Sequence, residues 1–166
     1  MSIYRLSFLV SGGASVLLVL GGLLLGHWLN LAACPLCIWQ RMLYLLLGLL
    51  ALLGLALLKH PGARRPLALL MAATAASGAW VAGYQVWIQR FAPAISCGRE
   101  SWWEAFARWA GEQMPLLFQS SGLCSDPAWT LLSLSIADWS LLAFLLLAGL
   151  ALYPVWVVPA GPERQR

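Results

Sequence analysis

Four stretches of about twenty apolar residues constrain this chain more than anything else in it, because each is long enough at about 1.5 Å per residue to cross a hydrocarbon layer about 30 Å thick. They run over about 6–29, 38–58, 66–88 and 139–158 and take up roughly half of the 166 residues. Composition closes off the soluble alternative: 61% of the residues are hydrophobic and 10% charged, against about 45–50% and about 25% in an ordinary soluble domain. Ten Lys and Arg with six Asp and Glu cannot cover the surface that a water-soluble fold of this length exposes. The runs lack the alternation over about ten residues that marks a membrane barrel, so strands are excluded as spanning elements. The expected fold is an all-α membrane protein: one domain over 1–166, a four-transmembrane-helix bundle, without repeats or low-complexity tracts.

The connections are unequal. Residues 30–37 and 59–65 make short loops, whereas 89–138 is a long excursion rich in Trp and polar residues. Lys and Arg concentrate on the cytoplasmic flanks of membrane proteins, and Arg5, Lys59, Arg64, Arg65, Arg164 and Arg166 all fall on one side of a four-span topology. Both termini are therefore expected to be cytoplasmic, with the loops 30–37 and 89–138 on the other face. The net charge of +4 forms no basic stripe that could track phosphates, which argues against nucleic acid as a partner.

Every cysteine lies in the two outer loops: Cys34 and Cys37 in the first, Cys97 and Cys124 in the second. That compartment is oxidising, and thiols there tend to pair. Leu31-Ala32-Ala33-Cys34 looks like a lipoprotein cleavage box, but the apolar run before it is longer than the 7–15 residues, roughly, of a signal peptide, and an odd number of cysteines would remain. Cys34-Pro35-Leu36-Cys37 is the chemically informative motif, since two intervening residues let the thiols close a disulfide that is readily reduced and reformed. The pair stands at the start of the second span, where unpaired N–H groups and the positive end of the helix dipole favour a thiolate, above all on Cys37. Arg41 follows four residues later on the same helical face, and an arginine at a membrane boundary is costly enough to imply a role there, unless it only snorkels to headgroups.

Other uses of the cysteines fit less well. Haem attachment needs a His after the second cysteine, where Ile38 stands. A four-cysteine zinc site has two close pairs, and Cys97 and Cys124 are far apart in sequence. Two structural disulfides remain the non-enzymatic alternative, although a two-residue loop gains little stability from closure. Within 99–113, Trp102, Trp103, Phe106, Trp109 and Ala110 share a helical face opposite Glu100, Glu104, Arg108 and Glu112, the pattern of a helix lying in the membrane interface. Asp138 can cap the fourth span. Gly22, Gly26, Ser11 and Ser15 in the first span and Ala72, Ala76 and Gly78 in the third are expected to let helices pack closely.

The series Cys34-Pro-Leu-Cys37-Ile-Trp-Gln-Arg41 at the outer start of the second of four spans, with a second cysteine pair in a long loop between spans three and four, resembles the disulfide bond formation protein B (DsbB) family. Ser120-Ser121-Gly122-Leu123-Cys124, followed by Trp129 and Trp139, is similar to the family's approach to its last helix. The resemblance covers nearly the whole chain. It implies a multi-pass protein of the bacterial inner membrane with periplasmic redox loops, which reoxidises a thioredoxin-fold oxidase, DsbA, and passes the electrons to a membrane quinone, ubiquinone or menaquinone. Carried over by position, Cys97 forms the mixed disulfide with the partner, Cys124 is its mate, Cys34 exchanges with Cys124, and Cys37 is the thiolate beside the quinone ring, with Arg41 at the quinone pocket. DsbA is a strong oxidant at about −120 mV, so its reoxidation needs a still better electron acceptor. A lipid-soluble quinone meets that need without a dinucleotide fingerprint or haem motif, neither of which the chain contains. Two positions depart from the family: Gln85 stands where many members have a histidine near the quinone, and Gln40 before Arg41 leaves that arginine without a carboxylate in the motif.

Overall fold

A computed structural model of the chain describes residues 3–31, 33–91, 102–119, 122, 124–125 and 129–158. The elements in chain order are α1 (Ile3–Trp28), α2 (Pro35–Ala56), α3 (Pro61–Phe91), α4 (Trp102–Gln113), α5 (Pro115–Phe118), the two-residue strands β1 (Thr130–Leu131) and β2 (Leu134–Ser135), and α6 (Ile136–Val157). Helices α1, α2, α3 and α6 are each long and apolar enough to cross a membrane. They begin three to five residues before the four apolar runs; α3 also ends beyond its run, whereas α1, α2 and α6 stop one or two residues short of theirs. The largest extension is at the start of α3, where Pro61 supplies a pre-set φ for the first turn and Arg64 Nε donates to the Leu58 carbonyl left over at the end of α2, at 2.8 Å.

The four long helices form a ring in which α3 packs along α6, α2 along α3 and α1 along α2, and a lighter α1–α6 contact closes the circle. Lipid tails are as apolar as leucine, so packing rather than burial from water holds such helices together, and small residues set how close they come. Phe8 of α1 lies over Gly54 of α2, and Phe144 of α6 lies over Gly78 of α3, where an added Cβ would fall 2.8 and 2.3 Å from the respective rings. Phe144 also stacks on Tyr44 of α2, ring centroids 4.0 Å apart and planes within 4°. The outward faces carry leucines such as Leu17, Leu49, Leu52 and Leu146, all exposed, an arrangement that water would not tolerate and lipid does.

The small-residue expectation holds in part. Ser11 and Ser15 are buried, as are Ala72 and Gly78, but Ala76 is exposed and Ala75 takes the inward position. Gly22 meets no neighbouring atom within 4 Å and Gly26 only approaches Leu31 and Arg41. Both glycines border a cavity instead of a helix.

The ends of the elements are built from local chemistry. Asn30 adopts φ 50° after α1, and Leu31 N–H returns to the Gly26 carbonyl at 2.9 Å, a Schellman closure that turns the chain toward α2. Strands β1 and β2 pair Thr130 with Ser135 and Leu131 with Leu134. Leu132 and Ser133 between them both have positive φ, as a two-residue turn of the primed type requires. That turn delivers Ser135, not Asp138, to the cap of α6: the Ser135 hydroxyl accepts from Asp138 N–H and the Asp138 carboxylate accepts from Ser135 N–H, a capping box. Asp138 also pairs with Arg90 at 2.6 Å, and Ser135 Oγ donates to Gln89 Oε1 at 2.8 Å, so the end of α3 is tied to the start of α6.

Helix α4 runs through the expected amphipathic stretch from Trp102 to its end at Gln113. It turns Ala107 and Ala110 inward against Ile38 and Phe118 and leaves Trp102, Phe106 and Trp109 exposed, rings suited to the level of lipid headgroups. Trp39 of α2 meets Trp102 edge-on and leans against Phe106, and its indole Nε1 donates to the Trp103 carbonyl at 3.0 Å.

Candidate functional site

The CxxC motif is itself the N-terminus of α2. Cys34 is the N-cap in extended conformation, its sulfur accepts a hydrogen bond from Cys37 N–H at 3.4 Å, and Pro35 opens the first turn. The sequence therefore places one sulfur at the cap position and the other on the third helical residue, where the unpaired N–H groups and helix dipole favour negative charge. The two sulfurs lie 3.0 Å apart, in hydrogen-bond contact.

Cys124 comes to the same point from the other loop. It is fully buried and packs with Cys34, Leu36 and Ile88 in one cluster, and the backbone beside it is pinned by a hydrogen bond from Gly122 N–H to the Ala33 carbonyl at 3.0 Å. Cys34 is thus enclosed between Cys124 and Cys37. Hydrogen bonding to Cys124, then to Cys37, then burial hold its thiol well above the ordinary thiol range. The expected site residue Cys97 lies outside the described residues, while Cys34, Cys37, Cys124 and Arg41 are brought to one end of the bundle.

Arg41 stands one turn deeper than Cys37. Its Nη1 donates to the Leu117 carbonyl in α5 at 3.0 Å, and a second guanidinium nitrogen lies 4.0 Å from where a Cβ on Gly26 would be. Between Arg41, Cys37 and the α1–α6 seam opens a cavity of about 670 Å³. Its origin is visible in the seam: at the inner end Ser7 Oγ donates across to the Leu150 carbonyl at 2.8 Å, while toward the sulfurs Leu17, Gly22 and Leu25 of α1 and Leu142 and Leu146 of α6 line the space. The cavity is walled mostly by aliphatic side chains, and its polar lining comes from Arg41, Gln40, Tyr44, Gln85, Gln89, Ser135 and Ser140 beside Cys34 and Cys37. Tyr44 hydroxyl is within 3.0 Å of Ser140 Oγ.

The two glutamines form a contact that sequence reasoning did not reach. Gln85 of α3 directs Nε2 to Cys34 Sγ at 3.3 Å and to Cys37 Sγ at 3.4 Å, and its Oε1 accepts from Gln40 Nε2 at 2.8 Å. Both side chains are buried. A polar residue inside an apolar span is a functional signal on its own, and Gln85, Gln89 and Gln40 carry that signal, although only the fold shows which atoms they meet.

The chain is similar to proteins of known name along most of its length. The family model described as disulfide bond formation protein DsbB matches residues 4–154. The Disulfide bond formation protein B of Dechloromonas aromatica is 40% identical over 141 residues, covering 83% of this chain and 82% of that relative. The protein of the same description from Nitrosomonas europaea is 45% identical over 132 residues, covering 73% and 76%. Disulfide bond formation protein B 1 of Pseudomonas fluorescens is 38% identical over 161 residues, covering 96% and 90%.

Proposed function

Because the chain belongs to the DsbB family of membrane disulfide-forming oxidoreductases, we propose that it is a quinone-dependent thiol oxidase that reoxidises a soluble DsbA-like partner. The observation that carries this reading is the enclosure of Cys34 between Cys124 and Cys37 at the mouth of a largely aliphatic cavity that Arg41 enters. A relay needs a sulfur within reach of each neighbour, and a lipid-soluble acceptor needs a cavity open to the bilayer side.

The exchange steps balance as follows. A partner thiolate attacks Cys97 of a Cys97–Cys124 disulfide and releases Cys124 as thiolate; the partner's second thiolate then displaces Cys97, so two electrons have moved into the chain. Cys124 attacks Cys34 of a Cys34–Cys37 disulfide and releases Cys37 as thiolate. Attack of Cys97 on Cys124 then frees Cys34 and restores the outer disulfide, leaving the two electrons on the Cys34 and Cys37 dithiol. The helix N-terminus, Gln85 and Arg41 hold the charge on Cys37. The cavity fits a quinone: aliphatic walls suit an isoprenoid tail, while the Arg41 N–H groups not spent on the Leu117 carbonyl are donors for a ring carbonyl. When bound, a quinone supplies the sink for two electrons and two protons. Arg5, Lys59, Arg64 and Arg65 mark the cytoplasmic end, which puts the cysteine end in the periplasm of a bacterial inner-membrane protein.

The test is turnover of the purified protein with a reduced DsbA-like oxidase and a soluble quinone. The expected result is one partner disulfide formed per quinone consumed. Partner oxidation that proceeds equally without quinone, or no oxidation at all, overturns the reading.

A further inference from the structure

We infer that Gln40 is a positioning residue that aims the carboxamide NH2 of Gln85 at the Cys34 and Cys37 sulfurs, so that the two glutamines act together as a neutral donor chain to the redox pair. A carboxamide has two faces, an oxygen that accepts and an NH2 that donates. Turned one way Gln85 stabilises a thiolate, and turned the other its oxygen repels one. Its Nε2 lies 3.3 and 3.4 Å from the two sulfurs, while its Oε1 accepts from Gln40 Nε2 at 2.8 Å and stands farther from Cys37 Sγ, at 3.8 Å, where it can accept a thiol proton but offers nothing to a thiolate.

Burial makes that orientation matter. Gln85 is 3% exposed and Gln40 5%, so water does not compensate a reversed amide, and a buried amide without its partner is costly. If the pair served only to satisfy each other between α2 and α3, one hydrogen bond between them would suffice. Instead the donor that bond leaves over is shared between two sulfurs, the atoms whose charge changes during exchange. The charged and titratable groups that face Cys37 are Arg41 from its own helix, Cys34 from the preceding loop and, behind Cys34, Cys124; α3 contributes the neutral Gln85, and among the described residues lining the cavity Arg41 is the one charged side chain. Gln85 and Gln40 therefore place a donor from α3 at the sulfurs without adding a charge that would pull the thiolate into a fixed ion pair.

This inference rests on reading Cys34 and Cys37 as a redox pair, but its test requires neither quinone nor partner. In fully reduced protein in detergent, the alkylation rate of Cys37 is followed against pH by the mass of its peptide. Gln85→Leu should move the midpoint of that profile up by about one pH unit, the size of one hydrogen bond to a charged group. Gln40→Leu, which leaves Gln85 and every atom around the sulfurs in place, should move it in the same direction by a smaller amount. In the double variant Gln40→Leu should add nothing to Gln85→Leu, because it acts through Gln85. A merely structural role for the pair changes stability and leaves the profile where it is. A midpoint that stays put in Gln40→Leu, or shifts that add in the double variant, overturns the inference, and the first of these decides even if Gln85→Leu does not fold. A profile that shifts as expected in a protein that shows no quinone turnover sinks the proposed function and leaves the donor chain standing.

Discussion

Arg41 illustrates how one side chain can be read from sequence in kind and only from structure in detail. Its spacing from Cys37 announces a cation one turn below the redox motif, and the fold adds that Nη1 is tied to the Leu117 carbonyl while the rest of the guanidinium faces the cavity. Two roles follow, anchoring α5 and binding a ligand, and kinetics separate them. Arg41→Ala should raise the KM for quinone about tenfold or more, the loss expected for a hydrogen bond from a charged donor, and change the KM for the thiol partner by less than about twofold. Steady-state kinetics with each substrate varied in turn checks this, and an equal rise in both constants assigns Arg41 to anchoring. Cys34 and Cys37 were legible for the same reason as Arg41: their chemistry is carried by close spacing on one helix. Gln85 was marked only as a departure from a family histidine, and its contacts were not legible, because it meets its partners from a different helix, 48 and 51 positions away in sequence from the two sulfurs, and nothing local in Tyr84-Gln85-Val86 says which atoms it will face.

At the level of helices, close contact between α3 and α6 depends on Gly78 accommodating Phe144. A Cβ there would fall 2.3 Å from the ring, and Phe144 cannot retreat freely because its other face stacks on Tyr44, whose hydroxyl is engaged by Ser140. Gly78→Ala should therefore destabilise the bundle by about 1–3 kcal/mol, the usual cost of overpacking. Gly13→Ala, at a helical glycine with nothing within 4 Å, should be neutral or stabilising because alanine is the better helix former. Equilibrium unfolding in mixed detergent measures both, and a Gly78→Ala protein as stable as the parent would refute this account of the seam. The apolar runs announced the four long helices because helix formation in lipid is dictated by length and hydrophobicity, which are sums along the chain. Helix partners depend on shape, which is not such a sum: Gly22 and Gly26 carry the small-residue signature of a packed face yet border the cavity. The cap of α6 escaped for a related reason, since Asp138 is a good capping residue and the hairpin that presents Ser135 first depends on two residues, Leu132 and Ser133, whose types do not favour the positive φ they adopt.

Across the whole molecule the bundle is polar in function: Arg5, Lys59, Arg64 and Arg65 mark one end, and three sulfurs, Arg41 and the α4–α5 segment gather at the other. That Arg5, Lys59, Arg64 and Arg65 fall at the end away from the sulfurs was legible from their places along the chain, whereas the cavity was not, because it exists only where the α1–α6 seam parts above the Ser7–Leu150 hydrogen bond. The proposed relay divides labour between the loops. Cys34 is buried against a helix end and Cys124 is buried beside it, so neither is a convenient first target for a folded partner. In the proposed relay Cys97, in the polar stretch Ser96-Cys97-Gly98-Arg99, is the cysteine that a soluble protein meets. A partner with a single active-site cysteine, activated as its mixed disulfide with a small aromatic thiol, should react with the reduced Cys124→Ser variant by attack of Cys97 on the partner sulfur, expelling the aromatic thiol. Without Cys124 the mixed disulfide on Cys97 lacks the mate that resolves it, so a stable crosslink, lost on reduction, should accumulate and be abolished by Cys97→Ala. Crosslinking that survives Cys97→Ala and vanishes with Cys34→Ala would place partner attack on the membrane-proximal pair and reverse the direction of the proposed relay.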